Sequence, residues 1–283
     1  MTETTTAKQS CEAPLVPDKP YYEAHEIALY QADCLELLPQ IPSDTFDMIF
    51  ADPPYLLSND GFTCHAGKMV SVNKGDWDRS QGVETDHEFV MEWLSACRRV
   101  MKKDATIWVS GTQHIIYSVG FAMQKLGFKL LNDIVWYKVN PPPNLSCRYF
   151  THASEIVLWA AKSQKSKHVF NYEDMKATAN EPFDLAGKQM KSIWAIRAPG
   201  KDEKTFGKHP TQKPLRLLNR IIRASTNPDA LILDPFVGSG TTAISALLNH
   251  RRCVGIDAEQ DFLQLAAMRL AEAGTNRTLN LEQ

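Results

Sequence analysis

"LILDPFVGSGTT", residues 231–242, runs from an apolar stretch into an acid, a proline, two spaced glycines and two threonines. With Ala230 before it, the stretch has four apolar residues bounded by Asp229 and Asp234, which read as a short buried strand. The glycines then mark a tight turn, and "TTAISALLNH" (241–250) has helical composition. Strand, glycine turn and helix start, in that order, are the context of a nucleotide-type site. Gly238 and Gly240 have no Cβ, so a ligand can approach the backbone closely there. A helix N-terminus also offers free N–H groups to a carboxylate or phosphate. A tight structural turn would use the same glycines. A P-loop is disfavoured because no lysine follows the second glycine, and the G-x-G-x-x-G fingerprint fails at Ala243.

The next segment narrows the ligand. "RRCVGID" (251–257) reads as a strand ending in Asp257, 17 positions after Gly240. An acid at about that distance can bind ribose hydroxyls in this architecture, or it can cap the helix that "EQDF" begins. Together the glycine turn and Asp257 favour a ligand carrying an adenosine ribose.

The same alternation extends toward the N-terminus. Strands are expected at "IALYQA" (27–32), "FDMIFA" (46–51), "TIWVSG" (106–111), "LLNDIVWYKV" (130–139) and "SEIVLWAAK" (154–162). "DCLELLPQI" reads as a short helix or turn. Helices are expected at "HEFVMEWLSACRRVM", "IIYSVGFAMQKLG", "PLRLLNRIIRAST" with Pro214 in its first turn, and "EQDFLQLAAMRLAEAG". Alternation of this kind predicts an α/β fold, a mostly parallel sheet with helices on both faces. Residues 56–82 show no sustained period and predict a long functional loop or lid. Residues 1–20 read as a mobile N-terminal arm and 274–283 as a tail. No internal repeat is visible.

"ADPPYLLSND" (51–60) begins where the strand "FDMIFA" ends. Ligands of open α/β sheets bind at the carboxyl ends of strands. A turn explains the prolines but not the acid and aromatic that flank them. Pro53 and Pro54 stiffen the turn and lack N–H donors, so nearby carbonyls stay available. The Asp52 carboxylate and the Pro53 carbonyl are then two adjacent acceptors suited to an exocyclic NH2, and Tyr55 offers a flat face for a base.

Composition excludes several classes. The 283 residues carry a net charge of -2, with no apolar run near the roughly 20 residues that span a bilayer and no apolar leader core. A cytoplasmic protein is expected. The six cysteines are scattered with no C-x-x-C pair, so neither a disulfide framework nor a metal site is expected. Charge is uneven: Lys138 to Lys213 contains 13 Lys or Arg against 7 Asp or Glu, about +6 on one region. A basic face for nucleic acid fits that asymmetry, as does an ordinary solvated surface.

"DPPY" (52–55) together with "DPFVGSGTT" (234–242) resembles the amino-group DNA methyltransferases that use S-adenosylmethionine. "GKHPTQKPLRLL" (207–218) strengthens the likeness. The order, catalytic motif first and cofactor motif last, resembles the β group, whose target-recognition region lies between them. "NPPPNLSCRYFTHASE" (140–155), "GKQMKSIW" (187–194) and "SVNKGDW" (71–77) resemble the second adenine methyltransferase of Dpn-type GATC restriction systems.

The resemblance implies a Rossmann-like methyltransferase domain. Its catalytic part would be residues 21–139, its target-recognition region 140–208 and its cofactor part 209–273. Asp52, Pro53, Pro54 and Tyr55 would hold a flipped adenine. Asp234, Phe236, Gly238, Gly240 and Thr241 would line S-adenosylmethionine, Asp257 would take its ribose, and Asp33 would lie near its adenine. His209, Thr211 and Gln212 would close the pocket. For Asp33 and His209, a strand-end cap and a loop histidine remain open. Arg148, Tyr149 and Lys191 are the candidates to touch DNA. The resemblance also implies adenine N6 methylation, a cognate restriction endonuclease and, by analogy, a homodimer. Cytosine N4 methylation, an RNA or protein-glutamine methyltransferase, and a silent DNA-binding fold stay as alternatives.

Overall fold

A computed structural model describes residues 15–56, 62–65, 68–71, 78–178, 181–207 and 209–281. Nine strands form one sheet in the order β1-β2-β11-β10-β3-β6-β8-β7-β9. These are β1 (Tyr22–Ala24), β2 (Ile27–Gln31), β3 (Phe46–Ala51), β6 (Met101–Gly111), β7 (Lys129–Tyr137), β8 (Ser154–Ala161), β9 (Ile193–Ala195), β10 (Leu231–Asp234) and β11 (Arg252–Asp257). The central run β2-β11-β10-β3-β6 is parallel throughout, while β8 runs antiparallel to both β6 and β7.

Strand β3 shows why the sheet has two cores. Ile49 and Ala51 face the side covered by α1 (Cys34–Leu37), α2 (Val83–Val100) and α3 (Ile116–Lys125), where Trp93 and Leu94 are buried. Met48 and Phe50 face the side covered by α4 (Leu215–Ser225), α5 (Thr241–Leu248) and α6 (Gln260–Leu281), where Leu217, Ile221 and Leu263 are buried. This is the two-residue alternation of a strand buried on both faces. Each fully buried Leu, Ile, Met or Phe side chain among these contributes about 1.5–3 kcal/mol.

Several expectations change. Residues 56–82 include a two-stranded antiparallel hairpin, β4 (Phe62–His65) with β5 (Lys68–Ser71). Glycine, asparagine and lysine there hid any alternation. Residues 1–14 of the expected arm lie outside the described residues, but Val16 is fully buried and Leu15 packs on the core. β1 has no counterpart among the expected strands. β6 begins at Met101, directly after α2, because the polar residues Lys102, Lys103 and Asp104 continue the strand past a register shift. Pro214 is the N-cap of α4, one place before its first turn. α6 continues through the expected tail to Leu281.

Residues 140–208 share the main sheet, to which their β8 and β9 belong. The excursions are 138–153, closed by Lys138 N–H donating to the Ala153 carbonyl at 2.7 Å, and 162–192.

Candidate active site

Four adjacent parallel strands, β2, β11, β10 and β3, each end at an aspartate. Asp257 and Asp234 are the last residues of β11 and β10, Asp52 follows β3 by one residue and Asp33 follows β2 by two. All four line one cavity of about 300 Å³. The connections from β3 and β10 leave in opposite directions, to β6 and to β11, so the cavity sits at the topological switch point where such sheets bind ligands.

The glycine turn forms one wall. Gly238 and Gly240 both have positive φ, +49° and +77°. Gly238 N–H donates to Asp257 Oδ2 at 2.8 Å, and Glu259 N–H donates to Asp257 Oδ1 at 2.9 Å. Asp257 therefore holds the turn and leads into α6 while still lining the cavity. The two glycines serve different needs. A Cβ on Gly238 would lie 3.0 Å from His209 Nε2, at the cavity wall. A Cβ on Gly240 would lie 2.8 Å from Ala266 Cβ, so Gly240 admits α6 rather than a ligand, and it is not part of the lining.

Asp234 is buried, and its Oδ1 accepts from Phe236 N–H at 3.0 Å. Burial raises its pKa to about 7, against the opposing hydrogen bond from Thr242. Phe236 packs edge-on to Trp93. Asp33 caps α1 through Leu35 N–H at 2.8 Å and also lines the cavity, so the cap and the site coexist. His209 meets Phe262 edge-on at 4.2 Å, and its Nδ1 accepts from Thr211 N–H at 3.3 Å. Gln212 donates through Nε2 to the Glu203 carbonyl at 2.7 Å. Its buried Oε1, beside the cavity, has no hydrogen-bond partner among the described residues. Thr241 begins α5 and lines the same space.

The other wall is Asp52, Pro53, Pro54 and Tyr55. Tyr55 does not present the open stacking face that its sequence context suggests. Its residue is 4% exposed, with Lys213 Nζ 5.1 Å from the ring centroid. Its hydroxyl contacts Asp52 Oδ1 at 2.7 Å, Glu155 Oε2 at 3.1 Å and Ser110 Oγ at 3.2 Å. Lys213 Nζ donates to Asp52 Oδ2 at 2.5 Å. Sequence reading singled out neither Lys213 nor Glu155. Lys213 was visible only as part of "HPTQKP", and Glu155 reaches Tyr55 across 100 positions through the antiparallel β8.

Six carboxylates line the cavity (Asp33, Asp52, Asp78, Asp234, Asp257 and Glu259) against one lysine, Lys213. That balance suits a ligand with positive charge and opposes a di- or triphosphate. Phe89, Phe236, Val237 and Phe262 supply the apolar walls.

Residues 46–268 match the family model described as DNA methylase. The chain is a DNA methylase. Two Type II methyltransferases are similar over nearly their whole length. M2.LlaDCHI of Lactococcus lactis subsp. cremoris is 51% identical over 258 residues, covering 91% of this chain and 94% of that protein. M2.DpnII of Streptococcus pneumoniae is 50% identical over 260 residues, covering 91% and 95%. The solved structure of the M1.HpyAVI–SAM complex superposes with a TM-score of 0.63 at 28% identity, covering 86% of this chain and 98% of that one.

The methylase places its three candidate DNA contacts unequally. Arg148 and Tyr149 are exposed on the 138–153 excursion, next to Phe150, which is 96% exposed. The excursion is braced by Asn144, whose Oδ1 accepts from Ser146 N–H at 3.0 Å, and by the Gln113–His152 contact at 3.3 Å. It leads directly into Glu155, whose Oε2 the Tyr55 hydroxyl contacts. Lys191 is engaged already: its Nζ donates to the Phe183 carbonyl at 2.5 Å and lies 3.5 Å from Asp184. No described helix is long and apolar enough to cross a membrane.

Proposed function

We propose that this methylase transfers the methyl group of S-adenosylmethionine to N6 of adenine in DNA, at GATC, with the target base turned out of the helix. The observation that carries the reading is that the Asp52–Tyr55 turn and the Gly238–Asp257 turn line one cavity, on either side of the switch point. The residues fit the cofactor. Carboxylates at Asp234 and Asp257 suit its cationic and ribose groups. The free N–H groups at the start of α5 suit its carboxylate. The orphan Gln212 Oε1 is a buried acceptor in need of an N–H donor.

When bound, S-adenosylmethionine supplies an electrophilic methyl on a sulfonium. The chain's residues do the rest by positioning and electrostatics. The amine lone pair of adenine is delocalised into its ring, so N6 is a weak nucleophile. Asp52 and the Pro53 carbonyl, accepting its two N–H groups, would free that lone pair and aim it. Tyr55 and Lys213 hold the Asp52 carboxylate in place. Asp52 is also the nearest group to hold the proton that N6 loses. A base must leave the stack to reach so recessed a site. The likeness of residues 140–155 and 187–194 to Dpn-type enzymes supports GATC, and with it protection of that sequence from a cognate endonuclease.

The test is to incubate the purified protein with labelled S-adenosylmethionine and oligonucleotides containing GATC or a scrambled site, each as duplex and single strand. Digestion to nucleosides should place the label in N6-methyladenine, from GATC alone. Label in other adenine contexts would remove the sequence assignment. Label in N4-methylcytosine would remove the base assignment.

A further inference from the structure

We propose that Lys213 and Glu155 are positioning residues that set the charge and orientation of Asp52 before substrate arrives. The proposal rests on the reading of Asp52 as the group that holds the target amine. Three distant parts of the chain meet here: the turn after β3, the start of β8 and the segment before α4. Lys213 Nζ lies 2.5 Å from Asp52 Oδ2 and 3.7 Å from Glu155 Oε2, and is 5% exposed. The Tyr55 hydroxyl spans the same two carboxylates from the other side. Its single proton can serve one of them at a time, and Ser110 is its third neighbour. Lys138 pairs with the outer oxygen of Glu155. Two carboxylates and two ammonium groups thus close to neutrality around Tyr55. Asp234, at the end of β10, is the further acid whose charge is coupled to Asp52.

The arrangement has a direct electrostatic consequence. Two carboxylates that share one hydroxyl in a buried site cannot both stay ionised without a cation between them. Lys213 is that cation. Burial pushes the Asp52 carboxyl up, Lys213 opposes the rise and Glu155 adds to it. Burial also raises Glu155, but Lys213 and Lys138 more than offset this and hold it below the usual carboxylate range. Without Lys213, Asp52 is therefore the partner that takes up a proton, because Glu155 keeps Lys138. A protonated Asp52 presents an O–H where the amine needs an acceptor.

The same geometry explains why the cation is a lysine on the segment that closes the cavity. Lys213 is flanked by Gln212 and Pro214, and Glu203 accepts from both Gln212 and Leu215. The segment that carries Thr211 and Gln212 to the cofactor side thereby fixes Lys213 on the amine side. One strap serves both halves of the site.

The test compares Lys213→Met, Lys213→Arg, Glu155→Gln and the Lys213→Met/Glu155→Gln pair in the full chain. The protonation of Asp52 is read by infrared difference spectroscopy against Asp52→Asn, across pH, with no cofactor present. Single-turnover methyl transfer is measured over the same range. In Lys213→Met the protonated Asp52 signal should persist to a pH higher by roughly one to three units. The acid limb of transfer should move with it. Glu155→Gln should move both to lower pH, the pair should return most of the way to wild type, and Lys213→Arg should stay near it.

A loss of rate in Lys213→Met that is equal at every pH, with an unmoved infrared titration, would overturn the proposal. Should Lys213→Met fail to fold, Glu155→Gln decides: an unshifted titration there overturns it equally. The infrared reading does not depend on methyl transfer. A wild type that methylates no adenine would therefore defeat the functional reading while leaving the Asp52 titration to judge this one.

Discussion

The backbone N–H of Gly238 donates to Oδ2 of Asp257 at 2.8 Å, which ties the glycine turn to the end of the neighbouring strand. The other oxygen of Asp257 accepts from Glu259, at the entry to α6. A carboxylate has about four acceptor sites, so both bonds leave room for ribose hydroxyls. Asp257→Ala removes the clamp together with the ribose contact proposed for that carboxylate. Hydrogen bonds to charged groups contribute about 1.5–3 kcal/mol each. The dissociation constant for S-adenosylmethionine, measured by calorimetry, should rise by about tenfold to a hundredfold, with Asp257→Asn intermediate. An unchanged affinity would remove Asp257 from the cofactor site.

Gly240 makes a different prediction from Gly238, although the sequence presents them as a pair. At φ +77° it lies in the left-handed region, where a side chain costs about 1–2 kcal/mol. Its added Cβ would also press on Ala266 of α6. Gly240→Ala should lower the urea-unfolding free energy by about 2–4 kcal/mol, from strain and overpacking together. Measured against Ala266→Gly alone, since a glycine costs α6 about 0.5–1 kcal/mol, Ala266→Gly in the same chain should recover only part of the loss, because Ala266 Cα still lies 3.1 Å from the added Cβ. Full recovery would mean that the left-handed strain is negligible.

The sequence made legible what is local. A strand, a glycine turn and a helix start are contiguous in 231–242, and the acid–proline turn is contiguous in 51–55, so both walls of the cavity could be read from short stretches. That the four aspartates Asp33, Asp257, Asp234 and Asp52 lie side by side could not, because it depends on strand order. Glu155 was missed for the same reason. It enters the site only because β8 runs antiparallel and brings its first residues to the carboxyl ends of β3 and β6. The sequence context of Tyr55 points to its ring, whereas its hydroxyl has the partners. Composition along 162–208 concealed β9, a three-residue strand whose Trp194 is buried through contacts with Trp108 and Arg220.

Asp234 makes the protein's response to pH testable. Its folded pKa of about 7 lies above the unfolded carboxyl value of roughly 3.9. The folded state therefore binds the proton more tightly than the unfolded chain between those values. The contribution of Asp234 to stability is fully present below about pH 4 and is lost as pH rises through about 7. A cationic ligand favours the ionised form, so binding S-adenosylmethionine near pH 6 should release a proton from Asp234. Calorimetry in buffers of different ionisation enthalpy should detect that release at pH 6 and find it diminished at pH 8. Asp234→Asn should reduce it at pH 6. Proton uptake on binding would contradict the assignment of a cation beside Asp234.

Arg148, Lys191 and Phe150 should separate in a salt titration of DNA binding. Among the described residues Arg148 has no ion-pair partner, whereas Lys191 is paired with Asp184. An Arg that meets a phosphate releases a counterion, and its loss lowers the slope of log K against log salt by about 1. Arg148→Ala should show that change. Lys191→Ala should show a smaller one, because its charge is already partly neutralised. Phe150, 96% exposed on the same excursion as Arg148, has no charge to contribute. Stacking on a base is worth about 1–3 kcal/mol, so Phe150→Ala should weaken binding at every salt concentration with the slope unchanged. A parallel loss of slope in Phe150→Ala would indicate a collapsed 138–153 excursion rather than a lost stacking contact. An unchanged slope in Arg148→Ala would move the DNA face away from this excursion altogether.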